Sequence, residues 1–302
     1  MAQNIQKPFL KWVGGKTQLI NEVTGKFPNK INNYHEIFLG GGSVLFALLS
    51  LQKEEKIEIK GQIYAYDLNE SLINIYKNIQ TNSEELFEYM EKYWKEYDEI
   101  TGCEVNRKPK TKEDSKTSKE SYYYWVRNSF NNMNKSLAER SAIFIFLNKT
   151  CFRGLYREGP NGFNVPYGHY KKTPSMIKKE ELYKISELIK DVIFQCRDFD
   201  ESISKVNKGD TMYLDPPYAP ENSKSFVGYT TDGFSIEMHN KLFKKIIEKD
   251  KSGVTFILSN SKVDMVIHYF KDYKTEHVVA RRAINSKNPE SKTTEVIINS
   301  FF

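Results

Sequence analysis

Seven short runs rich in β-branched and aromatic residues, separated by helical patterns, predict an α/β fold on a mostly parallel seven-stranded sheet with helices on both faces. The alternation breaks between about residues 81 and 180, which predicts a second, mainly helical domain inserted into the first. At 302 residues the chain is long enough for both. The expected division is 1–80 with 181–302 as the α/β core, and 81–180 as the insertion.

The first strand is His35–Leu39, and a helix over Ser43–Leu51 follows a run of three glycines. Gln62–Asp67 is the second, with the helix Glu70–Gln80 behind it. A helix over Glu180–Lys190 precedes the third strand, Val192–Cys196, and Thr211–Asp215 is the fourth. Ile236–Lys249 and Lys262–Phe270 are helices flanking the fifth, Val254–Ser259. Lys274–Ala280 and Glu295–Ser300 are joined by a long loop without helical pattern, which fits an antiparallel hairpin at the sheet edge. Within the insertion, the stretches around Leu86–Trp94, Tyr122–Phe130 and Ala142–Leu147 read as aromatic-rich helices. Thr101–Glu120, a run of Lys, Glu, Thr and Ser, reads as a solvated, mobile loop.

A net charge of +6 and a pI near 8.9 permit a polyanionic partner without requiring one. Cys103, Cys151 and Cys196 form an odd set without C-x-x-C spacing and read as reduced thiols. The first residues lack the blocks of a signal peptide, and apolar stretches such as Val44–Leu49 fall far short of the roughly 20 residues that span a bilayer. A soluble intracellular protein with no membrane partner is expected.

Five segments carry chemistry. Phe38-Leu39-Gly40-Gly41-Gly42-Ser43 closes a strand and opens a helix, where glycines let the backbone turn sharply and approach a ligand. It matches neither a dinucleotide fingerprint nor a phosphate-binding P-loop. Asp67 ends the second strand, where a carboxylate can grip a ribose diol or simply cap the helix that follows. Together these indicate a nucleoside-bearing ligand without a pyrophosphate, which fits S-adenosylmethionine. Near the N-terminus, Trp12 and Lys16 flank a Gly14-Gly15 pair. Trp12 could pack on a methionine chain and Lys16 meet its carboxylate, or the segment could be a buried Trp with a helix-starting turn. Asp198-Phe199, past the third strand, could take an exocyclic amine and stack on a ring.

The fifth segment is Asp215-Pro216-Pro217-Tyr218. A strand that ends in a carboxylate, two prolines and an aromatic ring is poorly built for folding alone, because proline cannot donate to the ladder. It is well built to hold a planar base carrying an amino group. That nitrogen is a weak nucleophile, its lone pair being delocalised into the ring. The Asp215 carboxylate and the Pro216 carbonyl can each accept one N–H, drawing the nitrogen toward sp3 geometry, while Tyr218 stacks on the base. In-line displacement at a sulfonium carbon then needs alignment more than a strong base.

With Phe9-Leu10-Lys11-Trp12, Gly14-Gly15-Lys16, Phe38–Gly42, Asp198-Phe199 and Asp215–Tyr218 in this order, the chain resembles the N6-adenine DNA methyltransferases of the Dam family, D12 class and α-type, over nearly its whole length. The resemblance implies a Rossmann-like, S-adenosylmethionine-dependent methyltransferase core. It also implies an inserted target-recognition domain with a DNA-reading β-hairpin. S-adenosylmethionine, leaving as S-adenosylhomocysteine, would be held by Trp12, Lys16, Phe38, Gly40, Gly42, Asp67, Asp198 and Phe199. Asp215, Pro216, Pro217 and Tyr218 would hold an adenine flipped out of double-stranded DNA. No metal is implied, and the five histidines show no ligand spacing.

The segments Phe152–Arg157 and Phe163–Lys172 are similar to the family's DNA-reading hairpin. From Lys149 to Lys179 there are seven Lys/Arg and one acid, Glu158, with interleaved aromatics, which suits phosphates and base edges, although charge runs are usually solvated faces. By the resemblance, Arg157 reads a guanine, Leu155 and Pro166 make apolar base contacts, and Lys11 touches an outer base. Phe152 and Arg153 would wedge into the stack, and His169 is the histidine placed to touch DNA. Arg153 stands where relatives specific for GATC carry Asn, so the target stays open between GATC and another four-base-pair palindrome such as CATG. Rival readings are cytosine-N4 methylation and a DNA-binding protein without catalysis. A restriction endonuclease acting on the same site is a compatible partner, and a monomer or weak dimer is expected.

Overall fold

The computed structural model describes residues 5–132, 135–220, 234–281 and 292–300. The chain divides into two compact units. Met1–Ile5, Lys16–Leu68 and Asp191–Phe302 form the first, and Gln6–Gly15 with Asn69–Lys190 the second. Boundaries therefore fall at 68/69 and 190/191 rather than at the expected 80/81 and 180/181, and Gln6–Gly15 groups with the second unit.

Along the chain, α1 (Ile20–Thr24), β1 (Lys30–Ile31), β2 (Tyr34–Glu36), α2 (Ser43–Lys53), β3 (Glu58–Ile59) and β4 (Ile63–Asp67) come first. The second unit then supplies α3 (Glu70–Thr81), α4 (Ser83–Asp98), α5 (Lys112–Ser115), α6 (Lys119–Asn132) and α7 (Leu137–Thr150). It closes with the hairpin β5 (Glu158–Gly159) and β6 (Gly162–Phe163), then α8 (Lys179–Leu188). The first unit resumes with β7 (Val192–Cys196), α9 (Phe199–Ser204), β8 (Thr211–Leu214) and α10 (Ile236–Lys251). It ends with β9 (Thr255–Ser261), α11 (Asp264–Tyr269), β10 (Lys274–Arg281) and β11 (Lys292–Asn299).

The seven-stranded sheet of the first unit has the order β10-β11-β9-β8-β2-β4-β7. Its five central and right-hand strands, β9 through β7, are parallel, while β11 runs antiparallel to both β9 and β10. This is the mostly parallel, Rossmann-like sheet that the sequence predicts, edge hairpin included. The loop between β10 and β11, residues 282–291, lies outside the described residues. Alternating residues serve two faces: Met212 and Leu214, Phe256 and Leu258, Val296 and Ile298 pack in one cluster with α9, α10 and α11. Tyr213, between them, meets Phe27 instead. Burial on both faces is why these strands read as continuous apolar runs.

The topology positions the site. The chain lays down β2, β4 and β7 in one direction, then returns to the other side of β2 for β8 and β9. In such open sheets the segments leaving β2 and β8 diverge, opening a crevice at the carboxyl ends of the strands. The first strand is shorter than expected, yet Ile37 and Leu39 still donate to Tyr213 O and Tyr66 O, so the pairing runs on to the glycines.

In the second unit, Phe146 of α7 meets the rings of Trp94, Tyr97 and Tyr122 edge-on at 5.1, 5.3 and 5.9 Å. Helix α3 belongs here because Asn78 donates to Ser141 Oγ of α7 and Tyr76 packs on Phe9. Gln80 ties it to the end of α8 through the Ile189 carbonyl. The expected mobile loop at Thr101–Glu120 is corrected: the segment folds onto α6. Ser115, Ser118 and Glu120 are buried, Cys103 bridges Ser118, and Thr111 with Asp114 forms a capping box on α5. Its polar side chains satisfy neighbouring backbone groups, so the segment takes up regular local structure although most of its side chains face solvent as expected.

Candidate active site

The Asp215–Tyr218 turn is gripped at every residue but one, always from within the first unit. Lys16 Nζ stands 2.6 Å from Asp215 Oδ2 and 5.0 Å from the Tyr218 ring centroid. His239, on α10, faces the Pro217 carbonyl at 3.0 Å through Nε2, with its Nδ1 on Ser235 O. Tyr218 donates to Glu295 Oε2 at 2.6 Å. The next residue, Ala219, donates to Asn260 Oδ1 at 3.1 Å and accepts from Ser261 Oγ at 2.7 Å. The Pro216 carbonyl and Asp215 Oδ1, by contrast, take no hydrogen bond from any described residue.

Burial raises the Asp215 carboxyl above the usual carboxylate range, the Lys16 ammonium opposes that, and the Glu295 charge adds to it. The buried Lys16 cation thus favours the charged form of Asp215 against the desolvation that disfavours it. Burial and the two neighbouring carboxylates push the Tyr218 phenol far up, so it remains a neutral donor. Glu36, buried on β2, is pushed up to about 8 by desolvation, against hydrogen bonds from Tyr34 Oη and the Leu45 amide.

The glycine run lies at the carboxyl end of β2. Gly40 and Gly42 have φ of +50° and +70°, a conformation that costs a side-chain-bearing residue about 1 kcal/mol or more. Asp67 Oδ2 accepts from the Gly40 amide at 2.9 Å and so props the run from the neighbouring strand. Capping of α3 falls to Asn69, whose side chain accepts from the Leu72 amide. Asp198 caps α9, accepting from Glu201 N at 2.8 Å. Phe199 is in the core, ringed by Phe38 at 6.2 Å and Phe234 at 5.4 Å. The first unit therefore brings together Lys16, Phe38, Gly40, Gly42, Asp67, Asp198, Phe199 and Asp215–Tyr218.

Trp12 belongs to the second unit, where it stacks with Tyr156 at 5.8 Å and Phe144 at 6.4 Å. The expected DNA-reading residues are all in that unit. Asn148 holds the Lys11 backbone from both sides, at 2.9 Å to its N and 2.7 Å to its O, and Lys11 Nζ lies 4.3 Å over the Tyr170 ring. Phe152 is 43 % exposed, with the Arg153 guanidinium 5.2 Å from its ring. Arg153 sits at φ +57°, an uncommon conformation for any residue other than glycine. The Pro166 carbonyl takes the Phe152 amide and leaves the proline ring exposed. Arg157 is exposed and donates from Nε to Asn164 Oδ1 at 2.6 Å, Leu155 is half-buried, and His169 is exposed beside Tyr167. The hairpin itself is shorter than the expected ribbon, with these residues flanking its strands.

Sequence reasoning missed His239, Asn260, Ser261 and Glu295. The signal was faint: Ser259-Asn260-Ser261 ends an apolar strand yet is buried, which demands polar partners.

Residues 12–284 match the profile of the D12 class N6 adenine-specific DNA methyltransferases. The chain belongs to this family. It is 38 % identical over 296 residues to the type II methyltransferase M.MjaIII of Methanocaldococcus jannaschii, covering 95 % of each chain. It is 32 % identical to the type II methyltransferase M1.LlaDCHI of Lactococcus lactis subsp. cremoris, over 98 % of this chain and 95 % of the relative. Against a DNA adenine methylase of Haemophilus influenzae the identity is 31 %, over 95 % and 90 %. The protein is an adenine-specific DNA methyltransferase of the S-adenosylmethionine-dependent class. Among the described residues no helix is long and apolar enough to cross a membrane.

Proposed function

We propose that the enzyme methylates N6 of an adenine flipped out of duplex DNA at a four-base-pair palindrome, GATC or another such as CATG. The observation that carries this reading is the pair of open acceptors, Asp215 Oδ1 and the Pro216 carbonyl, on a turn whose Asp215 Oδ2, Pro217 carbonyl and Tyr218 hydroxyl are engaged. Two acceptors on one rigid turn suit the two N–H bonds of an exocyclic amine. The residues of the first unit fit S-adenosylmethionine: left-handed glycines allow close backbone approach, and Asp67 stands at the strand tip beside them. When bound, it supplies an electrophilic methyl group.

The chain's own residues do the rest. Asp215 and Pro216 draw the amine toward a tetrahedral nitrogen, and the prolines keep the carbonyl from drifting. Tyr218 offers a ring face to the base. The Lys16 ammonium opposes the burial that disfavours the Asp215 carboxylate and so favours its acceptor form. Lys11, Phe152, Arg153, Leu155, Arg157, Pro166 and His169 make the second unit the target reader, with Arg157 on a guanine. A restriction endonuclease that cuts the same site is the partner the relatives' type II names suggest.

Labelled methyl transfer to duplex DNA, followed by nucleoside analysis, tests the reading. N6-methyladenine is expected, mapped by sequencing to one palindrome. Asp215→Ala should abolish transfer while calorimetry still detects S-adenosylmethionine binding. N4-methylcytosine, or no product, would overturn the proposal.

A further inference from the structure

We propose that Glu295 is a positioning residue for methyl transfer, acting through Tyr218. The inference rests on the adenine reading above and adds a residue to it. Glu295 lies on β11, far along the chain from the Asp215–Tyr218 turn, in a strand whose main visible task is to close the sheet. Yet its Oε2 accepts the Tyr218 hydroxyl at 2.6 Å.

The hydroxyl hydrogen of a tyrosine lies in the plane of its ring. A fixed acceptor therefore sets both the direction of the side chain and the tilt of the ring. The acceptor here is itself fixed, because Glu295 pairs in register with Ser261 of β9 and with Val278 of β10. Ser261 in turn holds the Ala219 carbonyl. One rung of the sheet thus grips two consecutive residues of the turn, Tyr218 by its ring and Ala219 by its backbone.

The charge argues that this is more than packing. A second carboxylate near Asp215 makes ionised Asp215 harder to keep, and its field raises the Asp215 pKa. A neutral acceptor would hold Tyr218 without that penalty. A carboxylate makes the stronger, shorter bond to a phenol. Lys16, between Asp215 and the Tyr218 ring, offsets the added charge.

The test compares the full chain with Glu295→Ala, Glu295→Gln, Tyr218→Phe and the Ala/Phe double variant. Single-turnover rates, KM for duplex DNA and cofactor affinity are measured for each. Emission of 2-aminopurine at the target adenine reports stacking of the extruded base. Glu295→Ala and Tyr218→Phe should each slow single turnover about tenfold or more, with cofactor affinity unchanged. The double variant should be no slower than the slower single one, because both remove the same bond. Emission should rise in Glu295→Ala, where the base stacks on a loose ring. If Glu295→Ala folds poorly, Glu295→Gln decides: its smaller loss should vanish in the Tyr218→Phe background. Losses that multiply, or a Glu295→Ala rate within twofold of wild type, overturn the role. Wild-type protein that makes no N6-methyladenine overturns the proposed function and this role with it, whereas active wild type with unaffected variants overturns Glu295 alone.

Discussion

Replacing Lys16 by methionine keeps the unbranched stem and removes the ammonium that stands 2.6 Å from Asp215 Oδ2. The two side chains are 4 % and 18 % exposed, so the survivor is a mostly buried, unpaired carboxylate. Breaking a buried pair costs about 3–5 kcal/mol, and the residual water at Asp215 puts this pair at about 3. That is roughly two orders of magnitude in the folded-to-unfolded ratio. The sign with pH follows from Asp215. Burial already raises its pKa, and losing Lys16 raises it further. A carboxylate with a raised folded pKa contributes stability at low pH that is lost as pH rises through that value. The deficit of Lys16→Met should therefore be smallest at acid pH and grow as pH rises, read from urea midpoints across a pH series. Activity moves with the same group: the acid limb of the rate profile should shift to higher pH, because more base is needed to ionise Asp215. A deficit that is flat with pH, or an acid limb that stays in place, would refute the pairing as the source of the Asp215 charge.

Glu36, held up to about 8 by burial, gives a second pH signature. Its contribution to stability is present below the usual carboxylate value and lost as pH rises through about 8, so Glu36→Gln should gain on wild type between pH 5 and 9 by a few kcal/mol, about 3–5 at most. Denaturation midpoints that track wild type at every pH would contradict it. Arg157→Ala should relax discrimination at one base pair by about 1–3 kcal/mol in competition assays with single-substituted duplexes. If discrimination holds and only the salt dependence of binding weakens, Arg157 contacts a phosphate instead.

Most of the first unit was legible because its signals are local. Strands buried on both faces read as apolar runs, and caps such as Asn69 and Ser235 sit where helix starts were expected. The Asp215–Tyr218 turn was legible for the opposite reason: its residues make no sense as folding elements. What holds the turn was not legible. His239, Asn260, Ser261 and Glu295 are polar residues on later elements: sheet register brings Asn260, Ser261 and Glu295 to the turn, and the packing of α10 brings His239. No spacing rule reaches across such separations. The second unit misled for a related reason. Thr101–Glu120 has the composition of solvent-exposed chain, but composition does not count the backbone groups that short hydroxylated side chains can satisfy.

The N-terminal motif shows most clearly where local reading stops. Trp12-Val13-Gly14-Gly15-Lys16 reads as one ligand-binding loop, with Trp12 and Lys16 sharing the cofactor. The unit boundary falls between Gly15 and Lys16, just after a Gly14 at φ +80°. On one side, Trp12 joins Phe144 and Tyr156 in the unit that carries the expected DNA readers. On the other, Lys16 turns to Asp215. Residue types in a motif state which chemistry is available. Their partners are set by the fold, and here the fold gives the lysine to the Asp215 carboxylate. The motif therefore divides between the two units, and Lys16 is its contribution to the surroundings of Asp215.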